Sequence, residues 1–204
     1  MSMDKTLPYY GVIMIKEDLT DYPIYTLPKG YSFSTYEPGD EEAWADIEVS
    51  VGEFESRQDA LDYFKREFAP YPKELKKRCV FVRDKKGEFV ATTTGWYGNL
   101  LSQEAMPRIH WVAVKPKHQG RGLAKALMTK TFDILKDIHC EGKVYLTTQT
   151  WSYKAINMYL EFGFQPYLGV KPKDWSEENG DFETNHKKAW EIIFNKLGKN
   201  EKMH

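Results

Sequence analysis

The sequence has only two cysteines in 204 residues, Cys79 and Cys140, and little net charge. Two cysteines cannot build a disulfide framework, nor a metal site by themselves, so we interpret both as buried or incidental thiols of a reducing compartment. Twenty-nine Lys and Arg residues stand against thirty Asp and Glu, a formal net charge of −1. No overall positive field is therefore available to hold nucleic acid or an anionic membrane.

Long apolar runs are missing as well. No stretch approaches eighteen consecutive apolar residues, and residues 1–11 lack the basic and apolar segments of a secretory signal. We therefore expect a cytoplasmic protein that does not span a membrane. Aromatic residues are plentiful, at 15% of the chain, and this length favours a single packed core.

The hydrophobic pattern predicts that strands and helices are mixed along the chain. After a short extended segment in residues 1–30, the strands come first as a hairpin and then alternate with helices, which favours a mixed α/β sheet. In chain order, the expected elements are a strand at 31–36, helices at 41–51 and 61–68, strands at 79–82, 89–94 and 109–114, a helix at 122–139, a strand at 144–148, a helix at 152–162, a strand at 164–170 and a helix at 187–197.

Residues 114–125 depart from the even distribution of charge. They read VKPKHQGRGLAK, with five cationic or potentially cationic residues, two glycines and no acid. This segment lies where a buried strand passes into a helix, and the first amides of a helix are unpaired and carry the positive end of its dipole. Because glycine lets an anion approach those amides closely, the segment predicts a pyrophosphate site.

Two common phosphate-binding motifs do not fit this turn. A P-loop needs G-x-x-x-x-G-K-[ST], and no Lys-Ser or Lys-Thr follows these glycines. A dinucleotide fingerprint needs a third glycine where Lys125 stands. A tight turn that merely joins strand to helix remains the alternative.

Two segments resemble the motifs of a known family. The first is VKP at 114–116 followed by QGRGLA at 119–124, which is similar to a strand ending in V-x-P before Q/R-x-x-G-x-G/A. The second, SYKAINMYLEFGF at 152–164, is similar to N-x-x-A-x-x-x-Y-x-x-x-G-F. On these residues the chain resembles the GNAT superfamily of acyl-CoA-dependent N-acetyltransferases over about 31–170.

The resemblance implies a fold and a division of the chain. The implied fold is a mixed, mostly antiparallel, twisted sheet of about six to seven strands flanked by helices. Residues 31–170 would form the N-acetyltransferase domain, 1–30 an N-terminal extension packed on the core, and 171–204 a C-terminal helical extension. The helix at 187–197 packs either on the core or on a second subunit, so a homodimer is one alternative.

The resemblance also implies a cofactor, acetyl-CoA or another acyl-CoA, and no metal. Backbone amides of the glycine turn would hold the pyrophosphate, the strand before it would pair with the pantetheine arm, and the strand at 144–148 would diverge to open that slot. Ser replaces the usual Asn of the family at position 152. The expected cofactor-binding residues are Val112, Ala113, Val114, Gln119, Gly120, Arg121, Gly122, Leu123, Ala124, Ser152 and Asn157.

Acetyl transfer to an amine needs a base and an acid. The resemblance assigns the acid to Tyr159, whose alternative is a packing role. Arg108 stands where some members of the family carry a glutamate base, which leaves His110 as the expected base and a hydrogen-bonded histidine of the sheet as its alternative. Glu53 and Glu55 are reserve candidates.

The implied function is transfer of an acetyl group from acetyl-CoA to the primary amine of a small molecule, directly and in a ternary complex. Because Arg108 stands where some members of the family carry a glutamate base, a catalytically silent CoA-binding or sensing module is one alternative. A protein N-terminal or lysine acetyltransferase is the other alternative. The expected partner is a small-molecule amine, with no nucleic acid and no membrane.

Overall fold

The computed structural model describes residues 3–102, 104–138, 142–176 and 181–199. Within them lie seven strands and six α-helices. The strands are β1 (Gly11–Lys16), β2 (Tyr31–Thr35), β3 (Cys79–Asp84), β4 (Phe89–Gly98), β5 (Met106–Val114), β6 (Val144–Gln149) and β7 (Gln165–Pro166). The helices are α1 (Glu41–Val51), α2 (Arg57–Glu67), α3 (Pro72–Arg78), α4 (Leu123–Asp137), α5 (Tyr153–Glu161) and α6 (Phe182–Leu197).

The strands follow the order β2-β3-β4-β5-β6-β1-β7. Pairings β2–β3, β3–β4, β1–β6 and β1–β7 are antiparallel, whereas β5 and β6 run parallel, with Arg108 opposite Tyr145. The expected mixed, mostly antiparallel sheet flanked by helices is therefore confirmed.

The chain divides into two compact units, and the first comprises residues 22–96 and 109–138. Helix α1 buries Trp44, Ile47 and Val51 on one face, as their i, i+3, i+7 spacing requires, and this face belongs to an aromatic core cluster. Helix α4 buries Leu123 and Leu127 in a second cluster with the aliphatic side chains of β3 and β4.

The second unit comprises residues 3–21, 97–108, 142–176 and 181–199. Strand β1 pairs along its whole length with β6, from Gly11 opposite Gln149 to Lys16 opposite Val144. Ile13 is fully buried in it, and helix α6 buries Trp190 and Phe194. The N-terminal segment therefore supplies an interior strand. The division of the chain at residues 30 and 170 stays a prediction.

Several elements differ from the sequence expectation. Helix α3 was not expected, because Pro70 and Pro72 read as a stop, yet Pro72 occupies the first helical position, where its missing N–H costs nothing. Strand β7 is only two residues long, and α6 begins at Phe182 because Asp181 caps it through the Thr184 amide. Cys140 and the end of the helix expected to reach 139 lie outside the described residues.

Within the described ranges, no helix is both long and apolar enough to cross a membrane. The same part of the chain holds no group of three or more His, Cys, Asp or Glu residues arranged to bind a metal ion.

We expect Ile13→Ala to lower the free energy of unfolding by about 2–5 kcal/mol, because it removes a fully buried side chain from β1. Ile24→Ala is the control, since Ile24 is 79% exposed, and it should stay within about 0.5 kcal/mol. Urea unfolding measures both. Equal stability of the two variants would show that β1 is not integral to the sheet.

Candidate active site

The turn between β5 and α4 is built on left-handed backbone. A 3₁₀ segment (Pro116–His118) follows β5, and then Gly120 and Gly122 adopt φ of 74° and 80°, a region that strongly favours glycine. Gly122 is the N-cap of α4, without a side-chain cap and without an acid in the first helical turn. Open space lies beside both glycines, where a Cβ would meet nothing within 4 Å.

The backbone amides of Leu123 and Ala124 precede the hydrogen-bond ladder of α4. The first backbone bond of the helix runs from Ala126 N to Gly122 O. No carboxylate of this turn competes for them. An uncapped, cationic helix start beside two glycines is chemically suited to a pyrophosphate, and the pyrophosphate site stays a prediction.

Side chains of the turn hold its shape. Gln119 donates from Nε2 to Val114 O at 2.8 Å, so its amide group ties the turn to the end of β5. Arg121 donates to the Tyr31 hydroxyl at 3.2 Å, and the same hydroxyl bonds His118 Nδ1 at 3.0 Å. The Gln119 backbone amide also donates to Pro116 O, at 3.3 Å, which disfavours the expected anion contact through this residue. A contact of Arg121 with a bound anion would use its backbone amide rather than this engaged side chain.

Strand β5 contains a second backbone distortion, at Trp111. Its φ of 55° is the single positive value among the described non-glycine residues. A bulky residue held there is strained, and such residues concentrate at functional sites. The consecutive residues Ile109 and His110 are both buried, whereas Trp111 and Val112 are half-buried, so the regular alternation of the strand is broken here. Ala113 and Val114 complete the segment expected to pair with pantetheine.

An aromatic cluster surrounds this distortion. The ring centroid of Trp111 lies 5.1 Å from that of Phe54, 5.0 Å from Tyr63 and 5.6 Å from Trp44. The Tyr63 hydroxyl and His110 Nε2 form a hydrogen bond of 3.0 Å. His110 is thus a buried histidine with a tyrosine partner, a geometry that orients its imidazole toward one side.

Glu48, on helix α1 of the same unit, is an unusual buried acid. It is 1% exposed on the inner face of α1, and its Oε1 has no hydrogen-bond partner within the described residues. Burial raises the pKa of this carboxyl group well above its ordinary value, and repulsion from Glu53 adds to the effect. A buried carboxyl group with a raised pKa therefore precedes the α1–α2 loop, which carries Glu53 and Glu55.

The second unit holds the remaining predicted residues. Tyr159 is buried in α5 and packs edge-to-face on Phe164, with 6.2 Å between ring centroids. Asn157 is exposed on the same helix. Ser152 is buried, and its Oγ accepts a hydrogen bond from Gln149 Nε2 at 3.3 Å. The roles of all three stay predictions.

Arg108 has a structural use that explains its presence in place of a carboxylate. Its guanidinium donates to Thr147 Oγ1 at 3.0 Å and lies 5.8 Å from the ring centroid of Tyr145, both on β6. A permanently charged guanidinium cannot accept a proton. Arg108 itself therefore cannot serve as a base.

The comparison with protein families decides the relationship. The Acetyltransferase (GNAT) family matches residues 32–164, about two thirds of the chain. The chain belongs to the GNAT acetyltransferase family. The matched span includes the glycine turn, His110 and Tyr159, and GNAT members transfer acyl groups.

Individual relatives add information about the GNAT fold. A GCN5-related N-acetyltransferase from Sphaerobacter thermophilus has a TM-score of 0.62 at 21% identity, covering 78% of this chain and 49% of its own. Glucosamine-6-phosphate N-acetyltransferase from Arabidopsis thaliana has a TM-score of 0.52 at 15% identity, covering 72% and 99%. At these identities the likeness concerns the fold alone.

The match to another relative covers a much shorter part of the chain. An uncharacterised protein of Mycobacterium leprae is 30% identical over 73 residues, 36% of this chain and 19% of that protein. The chain thus spans about one fifth of this relative and about half of the Sphaerobacter enzyme.

The sequence pattern did not point to four residues of this candidate site, namely Glu48, Phe54, Tyr63 and Trp111. Helical periodicity placed Trp44, Ile47 and Val51 on the inner face of α1, and Glu48 follows Trp44 by four residues on that face. That spacing was a usable signal of a buried acid. No local pattern could pair Tyr63 with His110, which are 47 residues apart.

We expect Glu48→Gln to stabilise the protein increasingly as the pH rises above about 4.5. Above that pH the unfolded chain releases the Glu48 proton while the folded chain retains it, so the wild-type free energy of unfolding falls by up to about 1.4 kcal/mol per pH unit. Glutamine has no proton to lose. Urea unfolding from pH 4.5 to 7 measures the effect, with the exposed Glu88→Gln as the control. Parallel curves for Glu48→Gln and wild type would contradict a raised pKa.

Proposed function

We propose that this protein transfers an acetyl group from acetyl-CoA to the primary amine of a small molecule, directly and in a ternary complex. The observation that carries the proposal is the uncapped start of α4, with two left-handed glycines, cationic neighbours and no acid. In the reaction the amine nitrogen bonds the acetyl carbon and the carbon–sulfur bond breaks. The amine gives up one proton, and the sulfur gains one.

The chain would hold the cofactor along one continuous segment of the first unit. Backbone amides from Gly120 to Ala124 would bind the pyrophosphate, aided by the positive end of the helix dipole. The half-buried edge at Val112 and the backbone of Ala113 and Val114 would pair with the pantetheine arm. Bound acetyl-CoA supplies the activated acetyl group and the thiolate leaving group.

Proton transfer would be divided between two residues. His110 would accept the proton of the amine, either directly or through water, because Tyr63 orients its imidazole from one side. Tyr159 would protonate the departing thiolate, since a phenol and a thiol have comparable acidity once both are desolvated. Glu53 and Glu55 are the alternative bases.

A catalytically silent CoA-binding module is the second candidate. The engagement of Arg108 with Thr147 and Tyr145 favours it, because the position of the familial glutamate has become structural. The two candidates share the cofactor site and differ in turnover.

We expect Gly122→Ala to weaken CoA binding about tenfold or more, because a methyl group at this left-handed position disturbs the amides that would hold the pyrophosphate. Gly87→Ala in the β3–β4 turn is the matched control: its φ is 83°, and its Cβ position is equally open. Both variants should lose about 1–2 kcal/mol of stability through backbone strain.

The measurement is the rise in melting temperature with CoA concentration, by mass action on the folded state. The proposed CoA site would be contradicted if CoA raised the melting temperatures of the two variants equally, or did not raise that of the wild type.

Release of CoA thiol in the presence of small primary amines tests the proposed reaction. We expect Tyr159→Phe to lower kcat on the order of 100-fold while the KM for acetyl-CoA changes little, because the variant lacks the acidic proton. Tyr167→Phe, at an exposed hydroxyl that bonds Val170 O, is the control. Unchanged turnover in Tyr159→Phe would show that Tyr159 has only a packing role. CoA binding without any release of thiol would favour the silent CoA-binding module.

A further inference from the structure

Strand β2 lies at one edge of the sheet and lacks the features that usually protect an edge from pairing. Edge strands are commonly very short, or carry charged side chains, proline or a β-bulge. Residues 30–36 read GYSFSTY, without charge or proline, and β2 pairs with β3 over five residues without a register shift. The opposite edge is protected, because β7 has only two residues and one of them, Pro166, has no N–H.

The backbone of β2 directs alternate residues away from β3. Tyr36 N donates to Cys79 O at 3.0 Å, so the backbone of position 36 faces β3, and positions 34 and 32 share that direction. Positions 31, 33 and 35 therefore face outward, where β2 is the last strand in the sheet order of the described residues. Tyr31 N donates to Pro28 O. Phe33 and Thr35 thus present N–H and C=O groups that suit a further antiparallel strand.

The sequence of β2 is complementary to itself. When two copies pair antiparallel about Phe33, Ser32 of one copy comes opposite Ser34 of the other, Tyr31 comes opposite Thr35, and the two Phe33 residues face each other. Aromatic pairs and hydroxyl pairs across strands stabilise antiparallel sheets. Phe33 is 37% exposed, and Ser32 and Thr35 are exposed as well. These properties are the ones that a two-fold symmetric interface requires.

Charges beyond the two ends of β2 agree with the same register. Lys29, just before the strand in one copy, comes opposite Glu37, just after it in the other copy, and two-fold symmetry makes this contact twice. Both side chains are exposed. Glu37 forms an ion pair with Lys76 of its own chain at 2.8 Å, so the second copy would bring another cation to this carboxylate. The charge pattern therefore favours a second copy of this chain as the occupant of the edge.

We propose that β2 is a homodimer interface, at which two copies pair their edge strands antiparallel about Phe33 and join their sheets into one. The interface is formed by the backbone of β2 and the side chains at its ends. It uses none of the residues to which the proposed acetyl transfer assigns a role. Dimerisation and acetyl transfer are therefore tested separately, and either proposal can fail without the other.

Sedimentation of the purified full chain over a range of concentrations measures the dimerisation. We expect the wild type to dimerise with a Kd of about 10 µM or lower. Phe33→Lys would set two ammonium groups against each other on the two-fold axis and should raise the Kd about tenfold or more. Leu168→Lys changes another exposed apolar residue and should leave the Kd as it is.

Charge reversal tests the register of the two strands. Lys29→Glu should raise the Kd about threefold or more, because it brings two pairs of carboxylates together. Addition of Glu37→Lys in the same chain should restore the Kd toward the wild-type value, since each pair is then again of opposite charge. Lys65→Glu, at an exposed lysine of α2, is the control and should have no effect. A general loss of stability would not produce such a rescue.

Three results would overturn the interface. One is a wild type that stays monomeric up to about 200 µM, which would leave the edge to an extended peptide of another protein. Another is a Kd that Phe33→Lys does not change, which would place the dimer contact elsewhere, such as on α6. The third is a double variant Lys29→Glu/Glu37→Lys that dimerises no better than Lys29→Glu. This third result decides the question if thermal melting shows that Phe33→Lys does not fold.

Discussion

The passage from β5 into α4 depends on two residues in left-handed conformation, Gly120 and Gly122. Because Gly122 caps the helix without a side chain and no acid follows, the amides of the first turn face outward with the full positive end of the helix dipole. Gln119 fastens this turn to Val114, so the shape exists before any ligand arrives. A chain of almost zero net charge could thus hold the proposed anionic cofactor, because the positive field that binding needs is local.

Trp111, the distorted residue of β5, connects the aromatic core to the proposed active site. Trp111 is held in a strained conformation by contacts with Phe54, Tyr63 and Trp44, and these rings come from α1, α2 and the loop between them. The core cluster therefore fixes the backbone on which His110 stands. In this unit the same aromatic side chains pack the core and surround the proposed base, so changes to the α1–α2 loop would alter the geometry of β5.

Local signals made the GNAT turn and the segment around Tyr159 predictable, since each motif lies within about a dozen residues. The interior strand β1 was harder to predict, because Val12, Ile13 and Met14 are too few to distinguish a strand from an irregular extended segment. The bond between Tyr63 and His110 and the buried state of Glu48 arise only when distant elements pack together. For Arg108, the sequence alone shows that the residue cannot act as a base. Its bond to Thr147 could not be predicted, because it depends on how the strands pair in the fold.

Cys79 begins β3 in the interior of the first unit and is fully buried. Burial raises the pKa of its thiol to about 12, so at neutral pH almost none of it is the reactive thiolate. Reagents that detect free CoA will therefore not register Cys79 in the folded protein. The rate at which Cys79 is labelled, measured by peptide mass analysis, instead reports how often the sheet beneath α1 opens. A bound ligand that stabilises the aromatic cluster would lower this labelling rate.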